Sequence, residues 1–291
     1  SISEHAFSTG CSSLVSIDIP NSVSCIGYAA FSNCSSLTSI SIPESIKRIE
    51  TWTFSNCSSL DTIILPDSIT FIGSEAFKGC TLLTSVTIPE NVEEIEYDPF
   101  AECPLLTSIV WNAKKCDKTQ WLVSGSYRYG PFYSIRKQII SFEFGENIEE
   151  IPPYLCYGMK YMKFINIPES VMRIGEKAFY ECANITELTI PHNVSYIDYN
   201  AFYGCSSISS VIWNAKKCND FSNWYGSSLF LNSTDNLTSF IFGDSVQHIP
   251  SYLCYYMKNL TTIEIPYGVT SLGEGTFQGC ESLDSIIWNA K

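Results

Sequence analysis

The sequence predicts a repeat solenoid of about twelve stacked turns, mostly β, and three observations carry that expectation. The segment from Phe54 to Gly73 returns 23 residues later as Phe77, Cys80, Leu83, Val86, Ile88, Pro89, Val92 and Ile95. A slot usually filled by proline falls at Pro20, Pro43, Pro66, Pro89, Asn112, Gly145, Pro168, Pro191, Asn214, Gly243, Pro266 and Asn289, in steps of 23 interrupted once by 33 and once by 29. The apolar residues, 45% of the chain, are spread evenly rather than gathered into lobes. A single 23-residue turn cannot bury its apolar side chains, whereas stacking lays like on like and closes one continuous core.

Each element follows from the repeat unit. Leu37, Ile40 and Ile42 end in the two-residue alternation of a half-buried strand, so one short parallel strand is expected per turn. The following proline cannot donate to a ladder and closes that strand. Two residues on stands a small turn former, such as Ser45, Ser68, Asn91 or Asn193, which suits an internal turn. On the return path the Val-x-x-Ile-Gly phrase supplies apolar anchors, and Gly73 and Gly175 are expected to permit a tight backbone bend. The Phe-x-x-Cys phrase is expected to form a short helical or 3-10 turn. The two long steps mark insertions near 113–138 and 215–236, each introduced by Trp-Asn-Ala-Lys-Lys-Cys at Trp111 to Cys116 and Trp213 to Cys218.

The phrase Leu-x-x-Ile-x-Ile-Pro-x-x-Val-x-x-Ile-Gly-x-x-Ala-Phe-x-x-Cys resembles the BspA-like, treponemal-type leucine-rich repeats, over nearly the whole chain. The resemblance implies a leucine-rich-repeat solenoid, a right-handed superhelix, in a secreted or cell-surface protein that adheres to host proteins or other cells. It carries no shared catalytic residues and no cofactor. The chain departs from the pattern at the insertions, in the Trp-Asn-Ala-Lys turns, and at Cys156 and Cys254 in the Phe slot.

Charge removes two classes of partner. A net charge of −13 opposes binding to nucleic acid or to an anionic membrane surface, both of which need basic patches. No run approaches the length of an apolar membrane span, and the first residues lack a leader's basic and apolar regions. Eight of the thirteen cysteines (Cys11, Cys34, Cys57, Cys80, Cys103, Cys182, Cys205 and Cys280) share one slot, so the period explains them as small buried hydrophobes. There is no Cys-x-x-Cys pair for zinc. Cys25, Cys116 and Cys218 lie outside the column, and one of them is the expected exposed thiol. His5, His192 and His248 stand in different turns without a companion pattern for a metal or a catalytic triad, and no enzyme is expected.

Recognition is therefore sought in what departs from the repeat. Aromatic residues collect in the insertions: Trp121, Tyr127, Tyr129, Phe132 and Tyr133 in the first, then Phe221, Trp224, Tyr225 and Phe230 in the second. Loops on a rigid scaffold commonly carry recognition, and Trp and Tyr are favoured anchors, although such rings also cover a core where a loop leaves the stack. The outer face of the sheet is expected to carry a hydroxyl ladder, Ser16, Ser39, Thr62, Ser85, Ser108, Ser141, Ser210, Ser239, Thr262 and Ser285, broken by Phe164 and Glu187. The functional expectation is an adhesion or protein-interaction module with a protein ligand. A glycan-binding module using the aromatic insertions and an architectural spacer are the alternatives. Both chain ends cut through a repeat, and since solenoids need polar caps, a fragment of a longer polypeptide or self-associating end turns are expected.

Overall fold

A computed structural model describes residues 1–116, 121–123, 127–221, 229–230 and 232–291, with the backbone alone for 121–123, 127 and 128. The chain is a leucine-rich-repeat solenoid of about eleven turns. It divides into two compact units, Ser1–Ile148 and Glu149–Lys291.

In the first unit the expected strands Ser16–Asp18 and Ser39–Ser41 pair in parallel, as do Ser85–Ile88, Ser108–Trp111 and Ser141–Phe144. The register sets Ser85 beside Ser108 and Ser108 beside Ser141, so like positions of successive turns are neighbours. At Ile64 the pairing shrinks to a single bridge with Ser41. The second unit repeats the pattern in Glu187–Ile190, Ser210–Trp213 and Ser239–Phe242, and in Thr262–Ile265 with Ser285–Trp288. The strand expected around Phe164, the seventh in order, is not formed.

A second column of two-residue strands runs along the Val-x-x-Ile phrase: Arg48–Ile49, Phe71–Ile72 and Glu94–Ile95 in the first unit, then Glu150–Ile151, Arg173–Ile174 and Tyr196–Ile197 in the second. These turns thus carry a further short strand on their return side, because the buried Ile of that phrase stacks in register as well.

Two expectations about local backbone are corrected. No described residue is helical. Across Phe-x-x-Cys the chain makes overlapping β-turns instead: the N–H groups of Ala30, Ser32 and Cys34 donate three residues back, while those of Ala29, Phe31 and Asn33 donate to Thr51, Thr53 and Ser55 of the next turn. A helix would aim every N–H along one axis; here alternate donors point sideways to bind the neighbouring turn. The geometry requires left-handed residues, Ala29 at φ 51° and Asn33 at φ 65°, with Trp52 and Asn56 repeating them one turn later. Gly73 and Gly175 do not serve a bend. A Cβ at Gly73 would stand 2.4 Å from the Thr51 nitrogen, and one at Gly175 would stand 2.5 Å from the Pro153 nitrogen. Glycine is needed because the preceding turn's backbone passes against it.

The core is a set of columns. Phe31, Phe54, Phe77 and Phe100 stack with centroids 5.2–5.5 Å apart and planes within 14°. Beside them Cys34, Cys57, Cys80 and Cys103 are buried, each thiol donating to the carbonyl of Phe7, Phe31, Phe54 or Phe77 one turn back, at 3.1–3.5 Å. All thirteen cysteines are free thiols. Burial pushes Cys57, Cys103 and Cys205 up to about 12, so the thiolate is disfavoured. Of the three thiols outside the column, Cys25 is exposed while Cys116 and Cys218 are buried. The small polar residue after the proline reaches a neighbour rather than its own turn: the hydroxyl of Ser68 donates to the Ile46 carbonyl at 2.7 Å, and the Asn193 amide to the Glu169 carbonyl at 2.7 Å.

Candidate recognition surfaces

The first insertion leaves the stack after Cys116 and forms an antiparallel hairpin, Trp121–Val123 with Tyr127–Tyr129, in which Trp121 faces Tyr129. It rejoins the repeat at Phe132, whose ring takes the next place in the phenylalanine column, 6.0 Å from Phe100. At 1% exposure Phe132 packs against Trp111 and Phe142 and is out of reach of any ligand. The half-buried Tyr129 and Tyr133 are brought together, centroids 3.9 Å apart, with the Arg136 guanidinium 3.6 Å above the Tyr133 ring. The base of this loop is docked by Asp98, which accepts both the Ser134 N–H at 2.9 Å and its hydroxyl at 3.0 Å. Asp98 is only 2% exposed, and burial raises its carboxyl above the usual range despite those donors and the Arg136 charge.

The second insertion rejoins the repeat in the same way. Phe230 is buried and takes the column place 5.9 Å from Phe202. Phe221 is half-buried, edge-on to Trp213, and its N–H donates to the Ser251 carbonyl at 3.2 Å. Trp224 and Tyr225 lie outside the described residues. Just before Phe221, Asp220 accepts the Ser251 N–H at 2.7 Å and meets His248 Nε2 at 3.1 Å, while His248 Nδ1 lies 2.8 Å from the Ser271 hydroxyl. The Ser251 amide, first of several donors, holds the Asp220 carboxyl below the usual range.

This Ser–His–Asp constellation was not legible in the sequence, because Asp220 comes from an insertion and the other two from adjacent turns. Its bonds clamp the base of the insertion to the adjacent turn. Acyl transfer also needs free backbone donors beside the nucleophile, whereas the N–H groups of Ser271 and Gly273 donate to the carbonyls of Gln247 and Ile249.

On the outer sheet faces the hydroxyl ladder forms as expected, with Ser16 and Ser39, Ser210 and Ser239, and Thr262 and Ser285 as register partners. Phe164 is 80% exposed and Glu187 is exposed at the start of its strand. The neighbouring outward column adds Ile64, 81% exposed, in the first unit, and the register pair Ile212 and Ile241 in the second. In the first unit a groove of about 380 Å³ on this face is lined by Ser39, Ser41, Asp18, Glu44 and Ile64 among others. Reasoning from the repeat also missed aromatic rows at the turns: His5, Tyr28 and Trp52 in contact in the first unit, and Tyr157, Tyr180 and Tyr203 stacked in the second. Aligning the residue after the Phe slot from turn to turn is the signal that finds the second row.

With the repeated strand, turn and columns in place, comparison with known families is decisive. The BspA type leucine rich repeat region matches in six copies, over residues 1–119, 128–253 and 223–291. The chain belongs to the BspA-type leucine-rich repeat family. Among solved structures, this BspA-type chain is similar to a leucine-rich repeat protein from Bacteroides ovatus, at 30% identity and a TM-score of 0.55, over 98% of this chain and 76% of that one. A leucine rich cell surface protein from Faecalibacterium prausnitzii matches at 24% identity and a TM-score of 0.41, over 99% and 83% of the two chains. The pneumococcal vaccine antigen PcpA matches at 18% identity and a TM-score of 0.37, over 94% and 79%. No curated protein matches. No helix among the described residues is long and apolar enough to cross a membrane.

Proposed function

We propose that the chain is a non-catalytic protein-recognition module of a secreted or cell-surface protein, with a protein ligand held by its aromatic insertions and outer sheet face. The repeat family supports a protein-interaction scaffold in general terms. One observation carries the finer reading. Both insertions leave the stack after the same Trp-Asn-Ala-Lys-Lys-Cys phrase, and in both units a phenylalanine, Phe132 or Phe230, restores the core column on re-entry. The core is therefore complete beneath each loop, and the loop sequence is free to serve a ligand. In the first unit Trp121, Tyr127, Tyr129 and Tyr133 form the proposed contact set. In the second it comprises Phe221, Trp224 and Tyr225, with Phe164 and Glu187 on the sheet face.

The test is a binding array of extracellular-matrix and microbial surface proteins beside an array of glycans. A protein ligand should be found, and Trp121→Ala with Trp224→Ala should weaken it at least about tenfold, the loss of a hot-spot ring, with an unchanged thermal midpoint. Glycan hits without any protein hit would transfer the site to the carbohydrate reading. An absence of both would leave the spacer role.

A further inference from the structure

The second unit holds a tyrosine column that the repeat does not require. Tyr157, Tyr180 and Tyr203 each follow the Phe slot, where the first unit has Ser32, Ser55, Lys78 and Ala101. Their rings are parallel, with interplanar angles of 0° and 3° and centroids 4.9 and 4.8 Å apart. The ladder holds the rings parallel. It does so through adjacent backbone bonds, Gly158 N–H to the Tyr180 carbonyl and Glu181 N–H to the Tyr203 carbonyl, both 2.7 Å. Parallel rings repeated by one turn of the coil set each phenol's ortho carbons at close to the centroid spacing from their equivalents in the next ring. All three side chains are half-buried and within reach of a small oxidant. The Asn232 amide donates to the Tyr203 oxygen at 2.6 Å and fixes that end of the row.

We propose that this column is a site of intramolecular oxidative coupling, in which a peroxidase using hydrogen peroxide joins Tyr180 to Tyr157 or to Tyr203 as dityrosine. Each phenol gives up one electron and its phenolic proton. The two phenoxyl radicals form one carbon–carbon bond between ortho carbons, and the ortho hydrogens return to the oxygens as both rings regain aromaticity. The two electrons and two protons reduce one hydrogen peroxide to two waters, so the protein loses two hydrogens per link. The product ties turns 23 residues apart in sequence and closes a loop in the unfolded chain, which raises the thermal midpoint. In the first unit that slot holds serine, lysine and alanine up to Tyr133, a single tyrosine after Phe132, so no such column forms among its described residues.

The test oxidises the full chain with a haem peroxidase and limiting hydrogen peroxide at low protein concentration, followed by intact mass and peptide mapping of the monomer. The expected result is a monomer lighter by two hydrogens, dityrosine fluorescence, and cross-linked peptides joining Tyr180 to Tyr157 or Tyr203. Tyr180→Phe should reduce column cross-linking at least tenfold, whereas Tyr203→Phe should retain the link between Tyr157 and Tyr180; circular dichroism and the thermal midpoint confirm that each variant is folded. Dityrosine only in covalent dimers overturns the proposal. So do monomer links confined to other residues, such as the exposed Tyr161 and Tyr267 or the Tyr129–Tyr133 pair, and so does undiminished column cross-linking in folded Tyr180→Phe.

Discussion

Asp98 shows how one side chain docks a loop and what that docking costs. Its carboxylate takes two donors from Ser134, yet burial dominates and moves its titration upward. A carboxyl raised in the folded state destabilises the fold at neutral pH, and the penalty disappears as pH falls through that raised value to below the unfolded one. The equivalent position in the second unit is Asn200, a neutral residue. Asp98→Asn keeps an oxygen for Ser134 and removes the buried charge. It should stabilise the chain at pH 7 by on the order of 1 kcal/mol, about 2–4 °C in midpoint, and the gain should vanish near pH 3. Thermal melts of parent and variant at both pH values decide this, and a variant less stable at pH 7 would refute it. The thiols are the quiet counterpart: buried, hydrogen-bonded to carbonyls and held as thiols, they fill a column in which a small polarisable group fits.

At the scale of elements, the base of the second insertion is held by one carboxylate that joins it to the adjacent turn at two residues. Asp220 bonds the Ser251 amide and meets His248, while the neighbouring Asn219 accepts the Ile197 N–H at 2.9 Å. Because the Asp220 titration is depressed, its contribution is complete above the ordinary carboxylate range and is lost as pH falls through the depressed value. Hydrogen-exchange protection of the Ser251 amide should therefore hold at pH 6 and collapse in stronger acid. Asp220→Ala should show the collapsed protection already at pH 6. Equal protection in parent and variant at pH 6 would mean that the clamp does not hold the loop. The turns at Phe-x-x-Cys make the same point without charge: they are stabilised by N–H groups given alternately to their own turn and to the next, so they exist only in the stack.

For the whole molecule, stability is distributed turn by turn, since each turn touches chiefly its neighbours. Gly73→Ala places a methyl against the Thr51 backbone and should cost about 1–3 kcal/mol through forced separation of two turns. The damage should remain local. Amides of Thr53, Phe54 and Gly73 should exchange faster, while the Ser108–Trp111 ladder of the same unit keeps its protection. Uniform acceleration across Ser1–Ile148 would show a globally cooperative unit instead.

By itself the sequence determined the period, the strand in most turns, the inward columns of Phe, Cys and Ile, and the positions of both insertions. A repeat that stacks in register carries every side chain onto its equivalent, so position in the period already states depth in the core; Trp111 and Trp213, each at the last position of its strand, are fully buried. Only the tertiary structure decided the rest. Gly73 is set by the Thr51 backbone 22 residues earlier, and Phe132 was drawn into the core although it reads as a loop aromatic. Ala29 is left-handed because the next turn demands its N–H. Asp220 meets His248 across 28 residues. These features depend on which turn lies alongside rather than on the residue's place in its own turn, and that is information a period alone does not hold.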